Sequence, residues 1–367
     1  MRRTEGPREI LPLTGLRALL AWWVVALHFV RELLAPGVMR SFLEAGHLAV
    51  DMFFVLSGYV LTKRYAGADL RDPNERNWFW LRRAARLYPL YALSLAMGVL
   101  ASPSALAALQ TELGLVRLGL QILVLNAWTH VAMFHHNWAA WSLSVEMFFY
   151  LCFPLLLPRI RACSRRALSW LLVLMCALTW LAPTVYTLCD PDHLQRAFRF
   201  DDEVLWGWYL KFFPAQRLPE FAAGMVAARL VDTQRLIVSS RVRRVAAPVL
   251  GLALVGFGTF RPIPFAFIHA GVLLPLGVAL VIVLDHEQRS WLAARWLVRL
   301  GHASYATYIL HVPLFRVAQH WDPELWQHPL PVVGYLGLLL VVSLLAHALV
   351  ERPLHGRMAG LRPAAAA

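Results

Sequence analysis

Residues 14–30, TGLRALLAWWVVALHFV, are apolar except for a threonine at the start, an arginine three residues later and a histidine near the end. Arg17 and His28 are eleven residues apart. On an α-helix this spacing brings two side chains to within about 20° of one face and separates them by ~16 Å along the axis. We predict that the chain is organised around a first membrane helix, Thr14 to Leu34, which holds a charged group near Arg17 and handles a proton at His28 near mid-bilayer.

The composition is typical of a membrane protein. Of the 367 residues, 59% are hydrophobic and only 16% are charged, whereas soluble domains carry about 25% charged residues. Apolar runs of about twenty residues, enough to cross ~30 Å of hydrocarbon, recur along the whole chain. We therefore predict an all-α transmembrane bundle that forms a single domain over residues 1–367.

Basic clusters between the apolar runs predict the topology. Counting segment 113–127 as re-entrant or interfacial puts every basic loop on one side, as the positive-inside rule requires. Both termini are then cytoplasmic, with residues 1–12 as an N-terminal segment and 354–367 as a tail. About ten spans are predicted, at roughly 13–34, 47–63, 86–102, 139–157, 167–187, 214–230, 246–260, 264–284, 297–317 and 331–350.

The net charge of +13 raises the question of nucleic-acid binding. Because the arginines cluster between apolar runs, membrane lipid is the predicted partner and nucleic acid is not. The four cysteines lack the spacing of metal ligands, so we expect neither a metal site nor a disulfide framework.

Ionisable side chains at bilayer depth are costly and suggest function. Asp51 lies in the second predicted span, and Glu146 follows Ser142 by one helical turn in WSLSVEMFFY. Ser304, Tyr308 and His311 are spaced i, i+4, i+7, and His311 lies ~18 Å from the cytoplasmic end of its predicted helix. A basic face formed by Arg82, Arg83 and Arg86 lies at the cytoplasmic headgroup level.

Each of these groups alone has a simpler interpretation. The arginines are then membrane anchors, the carboxylates hydrogen-bond between helices, and a single buried histidine is a packing residue. Their occurrence together in one bundle favours a functional site.

Seven blocks in order resemble the acyltransferase family 3 membrane proteins. They begin at the Arg17–His28 stretch and are, with their residues, LTGLRALLAWWVVALH (13–28), VDMFFVLSGY (50–59), LRRAARLYPLY (81–91), WSLSVEMFFY (141–150), RLPEFAAGM (217–225), LGHASYATYILHVPLF (300–315) and VERPL (350–354). The resemblance implies about ten membrane helices in the bacterial cytoplasmic (inner) membrane. It also implies acyl transfer, usually of acetyl from acetyl-CoA, to a hydroxyl that is often on a surface glycan.

Two departures from the family pattern matter. Many relatives carry an appended extracytoplasmic hydrolase-like domain that this sequence lacks, so we expect either the bundle or a separate extracytoplasmic transferase to complete the transfer. Glu146 is followed by Met147, where the family often has a polar residue, which makes its surroundings drier.

The resemblance implies acyl-CoA as the donor, whose phosphates an arginine cluster can bind and whose thioester lies near a histidine. Arg17, Arg82, Arg83 and Arg86 are expected to bind the phosphates. His28 acts as general base or accepts the acyl group, and Glu146 or Asp51 orients it. His311 or Tyr308 donates to the oxyanion. The residues expected to bind substrate are Trp141, Ser142, Ser304 and Tyr308.

Two other functions remain open. One is a proton-coupled secondary transporter, although no inverted repeat is evident. The other is a transmembrane acyl carrier that serves a separate transferase. The sequence does not define the acceptor, the acyl chain or the oligomeric state.

Overall fold

The computed structural model describes residues 9–101, 103–133, 135–193, 204–234, 239–260, 264–287, 290–322, 324 and 328–354. Within these ranges the secondary structure is helical, without strands. The α-helices are α1 (Leu11–Phe29), α2 (Val38–Glu44), α3 (Leu48–Arg64), α4 (Pro73–Leu100), α5 (Pro103–Ala108), α6 (Glu112–Ile122), α7 (Trp141–Ala162), α8 (Arg165–Cys189), α9 (Leu205–Phe212), α10 (Pro214–Gln234), α11 (Ser240–Phe260), α12 (Phe265–His269), α13 (Leu274–His286), α14 (Arg295–His302), α15 (Ser304–Trp321) and α16 (Pro329–Ala346).

The prediction of an all-α membrane bundle is confirmed. Six helical stretches in the described residues are long and apolar enough to cross a membrane, namely Leu11–Phe29, Val38–Arg64, Trp138–Ala162, Arg165–Cys189, Arg241–Phe260 and Pro329–Leu354. The total of ten spans and the cytoplasmic side of the termini stay predictions. Residues 1–8 and 355–367, which make up most of the two predicted terminal segments, lie outside the described residues.

Two predicted spans end or break earlier than expected. α1 ends at Phe29 instead of Leu34 and is followed by a short 3₁₀ turn, Arg31–Leu33, in which Arg31 and Glu32 form an ion pair. His28 therefore lies in the last turn of its helix and not deep within it. The predicted span 297–317 breaks at Ala303, so His311 lies about 10 Å from the start of α15 instead of ~18 Å from the end of a longer helix.

The predicted span 264–284 is likewise divided. α12 and α13 are separated by a turn that contains Gly271, whose φ of +81° lies in the left-handed region. An added Cβ there would contact the carboxylate of Glu220. Segment 113–127 contains only α6, whose eleven residues extend about 16 Å, half the thickness of the hydrocarbon core.

The helix that carries the basic cluster starts well before its predicted span. α4 begins at Pro73, capped by the Asp72 carboxylate, which accepts from the N–H groups of Asn74 (3.3 Å) and Glu75 (3.2 Å). Arg82, Arg83 and Arg86 consequently belong to one continuous helix, and side chains one residue apart point in directions that differ by about 100°.

The bundle has central and peripheral helices. In the apolar windows of α1, of α2 with α3, and of α7, between 56% and 72% of residues are buried, against 17% to 28% in those of α8, α11 and α16. The outer helices expose leucine, valine and tryptophan, such as Trp170, Leu252 and Val341. This is the pattern expected where lipid tails are the surrounding solvent.

The backbones of α3 and α10 approach each other closely. A Cβ at Gly58 would overlap the carbonyl oxygen of Phe221, and a Cβ at Gly224 would overlap that of Val55. Small residues allow such backbone contact between membrane helices. This contact sets the position of α3, which forms one wall of the cavity described below.

We expect Gly58→Ala to destabilise the bundle, because the added methyl group must push α3 away from α10. Overpacking of this kind costs about 1–3 kcal/mol. The measurement is the thermal unfolding midpoint of the purified protein in detergent.

The matched control is Gly337→Ala, since Gly337 lies within α16 with nothing near its would-be Cβ. It should leave the midpoint unchanged or raise it, because alanine favours helix over glycine by about 0.5–1 kcal/mol. Equal midpoints for the two variants would contradict the close packing of α3 and α10.

Candidate active site

Two connected cavities open at one end of the bundle, which we call the arginine end. The inner cavity has a volume of about 130 Å³, and the vestibule outside it about 570 Å³. Arg17, Val60, Arg64 and Arg86 line both. The vestibule therefore leads directly into the inner cavity between α1, α3 and α4.

The mouth of the vestibule is closed on one side by Glu9, which precedes α1. Its carboxylate bonds to His302 Nε2 (2.8 Å) and accepts from Thr14 Oγ1 (2.7 Å). The hydrogen bond to His302 lowers the pKa of Glu9, so this group is an anion at neutral pH.

Arg83 is a buried cation whose donors are not fully used. Its side chain is 2% exposed, and its Nε and Nη2 have no hydrogen-bond partner among the described residues. The rings of Tyr65, Phe79 and Tyr150 surround the guanidinium at 5.8–6.0 Å. A buried arginine without a carboxylate is costly, so this side chain is suited to an anion that enters the inner cavity.

Glu146 also lines the inner cavity. Its Oε1 accepts from Ser57 Oγ at 3.1 Å and from the hydroxyl of Tyr150. These hydrogen bonds place the carboxylate among the groups beside the arginines and do not include His28, so the orientation of His28 by Glu146 stays a prediction.

The two predicted histidines are brought together. His28 Nδ1 and His311 Nε2 are 2.9 Å apart, and the two rings are nearly parallel. His311 Nδ1 lies 2.5 Å from the carbonyl oxygen of Tyr308. A carbonyl only accepts, so Nδ1 of neutral His311 carries the proton and its Nε2 accepts from His28 Nδ1–H.

This chain of bonds determines which nitrogen of His28 is reactive. With the proton on Nδ1, the lone pair of the neutral ring is on Nε2, for which the described residues provide no hydrogen-bond partner. The neutral His28 ring thus presents the Nε2 lone pair, which could accept a proton.

Pro313 explains how the neighbouring loop is attached to α15. Proline has no N–H, so the carbonyl of Ile309, four residues earlier, loses its helical partner. Asn137 Nδ2 donates to that oxygen at 2.9 Å and lies 3.2 Å from Ser94 Oγ. The next residue, Trp138, is thereby held edge-on to His28, with ring centroids 5.9 Å apart.

Tyr308 joins the inner cavity to the histidine pair. Its carbonyl binds His311, while its hydroxyl accepts from Ser142 Oγ at 2.8 Å and lines the inner cavity. Ser304 lines the same cavity, and its buried Oγ has no hydrogen-bond partner in the described part of the chain. The structure therefore brings Ser142, Ser304 and Tyr308 together.

Asp51 is positioned away from His28. It forms an ion pair with the buried guanidinium of Arg217, which also lies 2.9 Å from Glu220 and donates to the carbonyl of His269 at 3.1 Å. Its carboxylate thus neutralises Arg217 between α3 and α10, and the orientation of His28 by Asp51 likewise stays a prediction.

Four further predicted site residues do not line the two cavities, namely His28, His311, Trp141 and Arg82. Trp141 packs among aromatic side chains, with ring centroids 4.8 Å from Phe212 and 6.0 Å from Phe54. Arg82 is one residue from Arg83 and so faces another direction on α4. The described residues contain no cluster of three or more possible metal ligands.

The sequence reasoning missed some residues of the site. Arg64, the last residue of α3, lines both cavities, whereas in the sequence it is only one of the basic residues between two apolar runs. Ser57 and Tyr150, the partners of Glu146, lie within motifs quoted above. The i, i+4 spacing on α7 could have indicated Tyr150, whereas nothing in the sequence pairs Glu146 with Ser57.

Comparison with known proteins identifies the family. The family model described as an acyltransferase domain, that of acyltransferase family 3, matches residues 11–348. Acyltransferase MdmB of Streptomyces mycarofaciens is 29% identical over 98% of this chain and 96% of its own length. No solved structure gives a significant match.

Two further relatives are longer proteins. Peptidoglycan O-acetyltransferase OatA of Listeria monocytogenes is 25% identical over 96% of this chain and 57% of its own length. O-acetyltransferase OatA of Staphylococcus aureus is 22% identical over 96% of this chain and 58% of its own length. Since the family model covers nearly the whole chain, the protein belongs to acyltransferase family 3 and is an O-acyltransferase.

Proposed function

We propose that the protein transfers an acetyl group from cytoplasmic acetyl-CoA to a hydroxyl of a carbohydrate or related acceptor, with His28 as general base. The arginine end then faces the cytoplasm. The observation that carries the proposal is the inner cavity, which runs from four arginines to Tyr308, the residue whose carbonyl binds His311 and so orients His28.

The donor is proposed to enter through the vestibule. The guanidinium groups of Arg17, Arg64, Arg83 and Arg86 line the route with only Glu146 as a carboxylate in the inner cavity. Arginine binds phosphate through charge-assisted and often bidentate hydrogen bonds. The inner cavity is much smaller than the vestibule, which suits a linear pantetheine arm following a bulkier nucleotide.

The chemical step follows from the protonation of His28. Its Nε2 takes the proton of the acceptor hydroxyl while the hydroxyl oxygen attacks the thioester carbonyl carbon. The C–S bond breaks, the ester forms, and the proton passes to the departing thiolate to give CoA. His311 stabilises the transient imidazolium by accepting from its Nδ1–H.

The oxyanion is proposed to be stabilised by hydroxyl groups at the end of the inner cavity. Ser142 and Tyr308 both lie within 3.2 Å of the Ala139 carbonyl and 2.8 Å of each other. One of these donors would turn from Ala139 toward the developing charge.

A second candidate keeps the acyl transfer but divides it between two proteins. The chain matches 57% of the Listeria OatA, so that relative contains a region beyond this match. In this version His28 Nε2 holds the acetyl group covalently and passes it to a separate extracytoplasmic transferase. Membership of an acyltransferase family argues against the proton-coupled transporter, the other function left open by the sequence.

A glycan is suggested as the acceptor by the name of the Listeria relative, a peptidoglycan O-acetyltransferase.

We expect Arg83→Gln to weaken CoA binding about tenfold to a hundredfold, because a hydrogen bond to a charged group contributes about 1.5–3 kcal/mol. Binding is measured by calorimetry on purified protein. Without CoA, thermal stability should be unchanged or higher, since the variant removes an uncompensated buried charge.

Arg82→Gln on the same helix is the control and should bind CoA as the native protein does. If both substitutions reduce binding equally, the arginines act through the general charge of this surface and the proposed contact is wrong.

We expect His28→Ala to abolish acceptor-dependent release of CoA from acetyl-CoA, a fall of about 10²–10⁴ in kcat, while CoA still binds. His311→Leu should also lower kcat without raising the KM for acetyl-CoA, because it removes the acceptor that holds the proton on His28 Nδ1. Turnover is followed by detection of the free thiol.

His130→Ala, at an exposed position, should turn over normally. Native turnover in His28→Ala would refute the general-base role. Labelled acetyl retained on His28 after the donor is removed would favour the divided version.

A further inference from the structure

A third cavity, of about 570 Å³, lies beyond the histidine pair, at the opposite end of the bundle from the vestibule. We call it the distal cavity. Its walls come from α5, α6, the loop that precedes Trp138 and the last turns of α15. The ionisable side chains that line it are Arg117, His135, His136, Arg316 and His320, with no aspartate or glutamate.

The two arginines have no carboxylate partner among the described residues. Arg117 uses Nε to donate to the carbonyl of Val131 at 3.0 Å. Arg316 uses Nη1 to donate to the carbonyls of His135 and His136 at 2.8 and 2.9 Å. These bonds fix each guanidinium against the loop and leave its other N–H groups available to a ligand.

His136 adds a buried polar atom that lacks a partner. Its side chain is 4% exposed, and its Nδ1 makes no hydrogen bond within the described part of the chain. Burial lowers the pKa of His136 to about 4, so the ring is neutral at physiological pH and offers one donor nitrogen. The site thus combines two fixed cations with a neutral imidazole.

The distal cavity is connected to His28 through two side chains. The Arg316 guanidinium, which lines the cavity, lies over the ring of Trp138 at 5.7 Å, and that ring also contacts His28, with centroids 5.9 Å apart. Asn137 holds this loop on the carbonyl that Pro313 leaves free. Arg316 and Trp138 therefore lie between a molecule in the distal cavity and the proposed base.

We propose that the distal cavity binds a phosphate or carboxylate group of the acceptor, so that the molecule acylated is an anionic, hydroxyl-bearing compound such as a sugar phosphate or a uronic acid. This inference rests on the proposed function, because it takes His28 as the point of transfer. Fixed guanidinium groups are the preferred partners of both anions. The contact with Trp138 favours an acceptor over a lipid headgroup, which would need no connection to His28.

The test measures binding of labelled glucose 1-phosphate to the purified full chain in nanodiscs of phosphatidylcholine alone. CoA is present at saturation to occupy the arginine end, and its own binding is measured in the same samples. We expect glucose 1-phosphate to bind and its uncharged counterpart, methyl glucoside, to bind at least tenfold more weakly.

Arg117→Gln should weaken the binding of glucose 1-phosphate about tenfold, and Arg117→Lys should restore part of the lost affinity. Arg82→Gln is the control and should bind glucose 1-phosphate as the native protein does. Equal binding in native protein and Arg117→Gln, or no preference for the charged sugar, would overturn the inference. Displacement by phosphatidylglycerol added to the nanodiscs would assign the cavity to lipid headgroups and would also overturn it.

These outcomes are separable from a failure of the proposed function. If CoA does not bind, the proposed assignment of the arginine end as the donor site is wrong, whether or not glucose 1-phosphate binds. If CoA binds and the two sugars do not differ, only the distal cavity is wrong.

Discussion

Hydrocarbon offers no hydrogen bonds, so a polar group between membrane helices must find its partner within the protein. This constraint determines how the bundle is assembled. Asp51 neutralises Arg217, and Asn137 satisfies the carbonyl that Pro313 leaves open. His311 Nδ1 donates to the carbonyl of Tyr308. The first two of these bonds cross between segments that are distant in sequence, and they position the helices around the cavities. Arg83 is one exception, and its unused donors are the basis of the proposed contact with CoA.

The features that the sequence predicts well are those encoded within one helix. Apolar runs gave a helix at or near each predicted span, because burial in lipid depends on local composition. The i, i+4 spacing of Ser304 and Tyr308 put both on one wall of the inner cavity. The similar depth expected for His28 and His311 agrees with their direct contact, although both lie nearer a helix end than expected.

The features that the sequence could not predict depend on how helices face one another. Glu146 and Asp51 are both carboxylates in apolar surroundings; the i, i+4 spacing indicates Tyr150 as a neighbour of Glu146, but nothing near Asp51 indicates its partner. The structure pairs them with Tyr150 and Arg217, from an adjacent turn and from a helix far along the chain. Trp141 shows the same problem at shorter range, because a step of one residue turns it from the cavity into the aromatic core.

The hydrogen bond from His311 to Tyr308 is accepted by a main-chain carbonyl, and this affects how the site can change. A side-chain substitution at position 308 removes the hydroxyl from the cavity but leaves the carbonyl in place as long as the helix forms. Alanine scanning would therefore detect only one of the two contributions of this residue. Sequence variation at position 308 can alter what the cavity accepts while the protonation of the histidine pair is inherited unchanged.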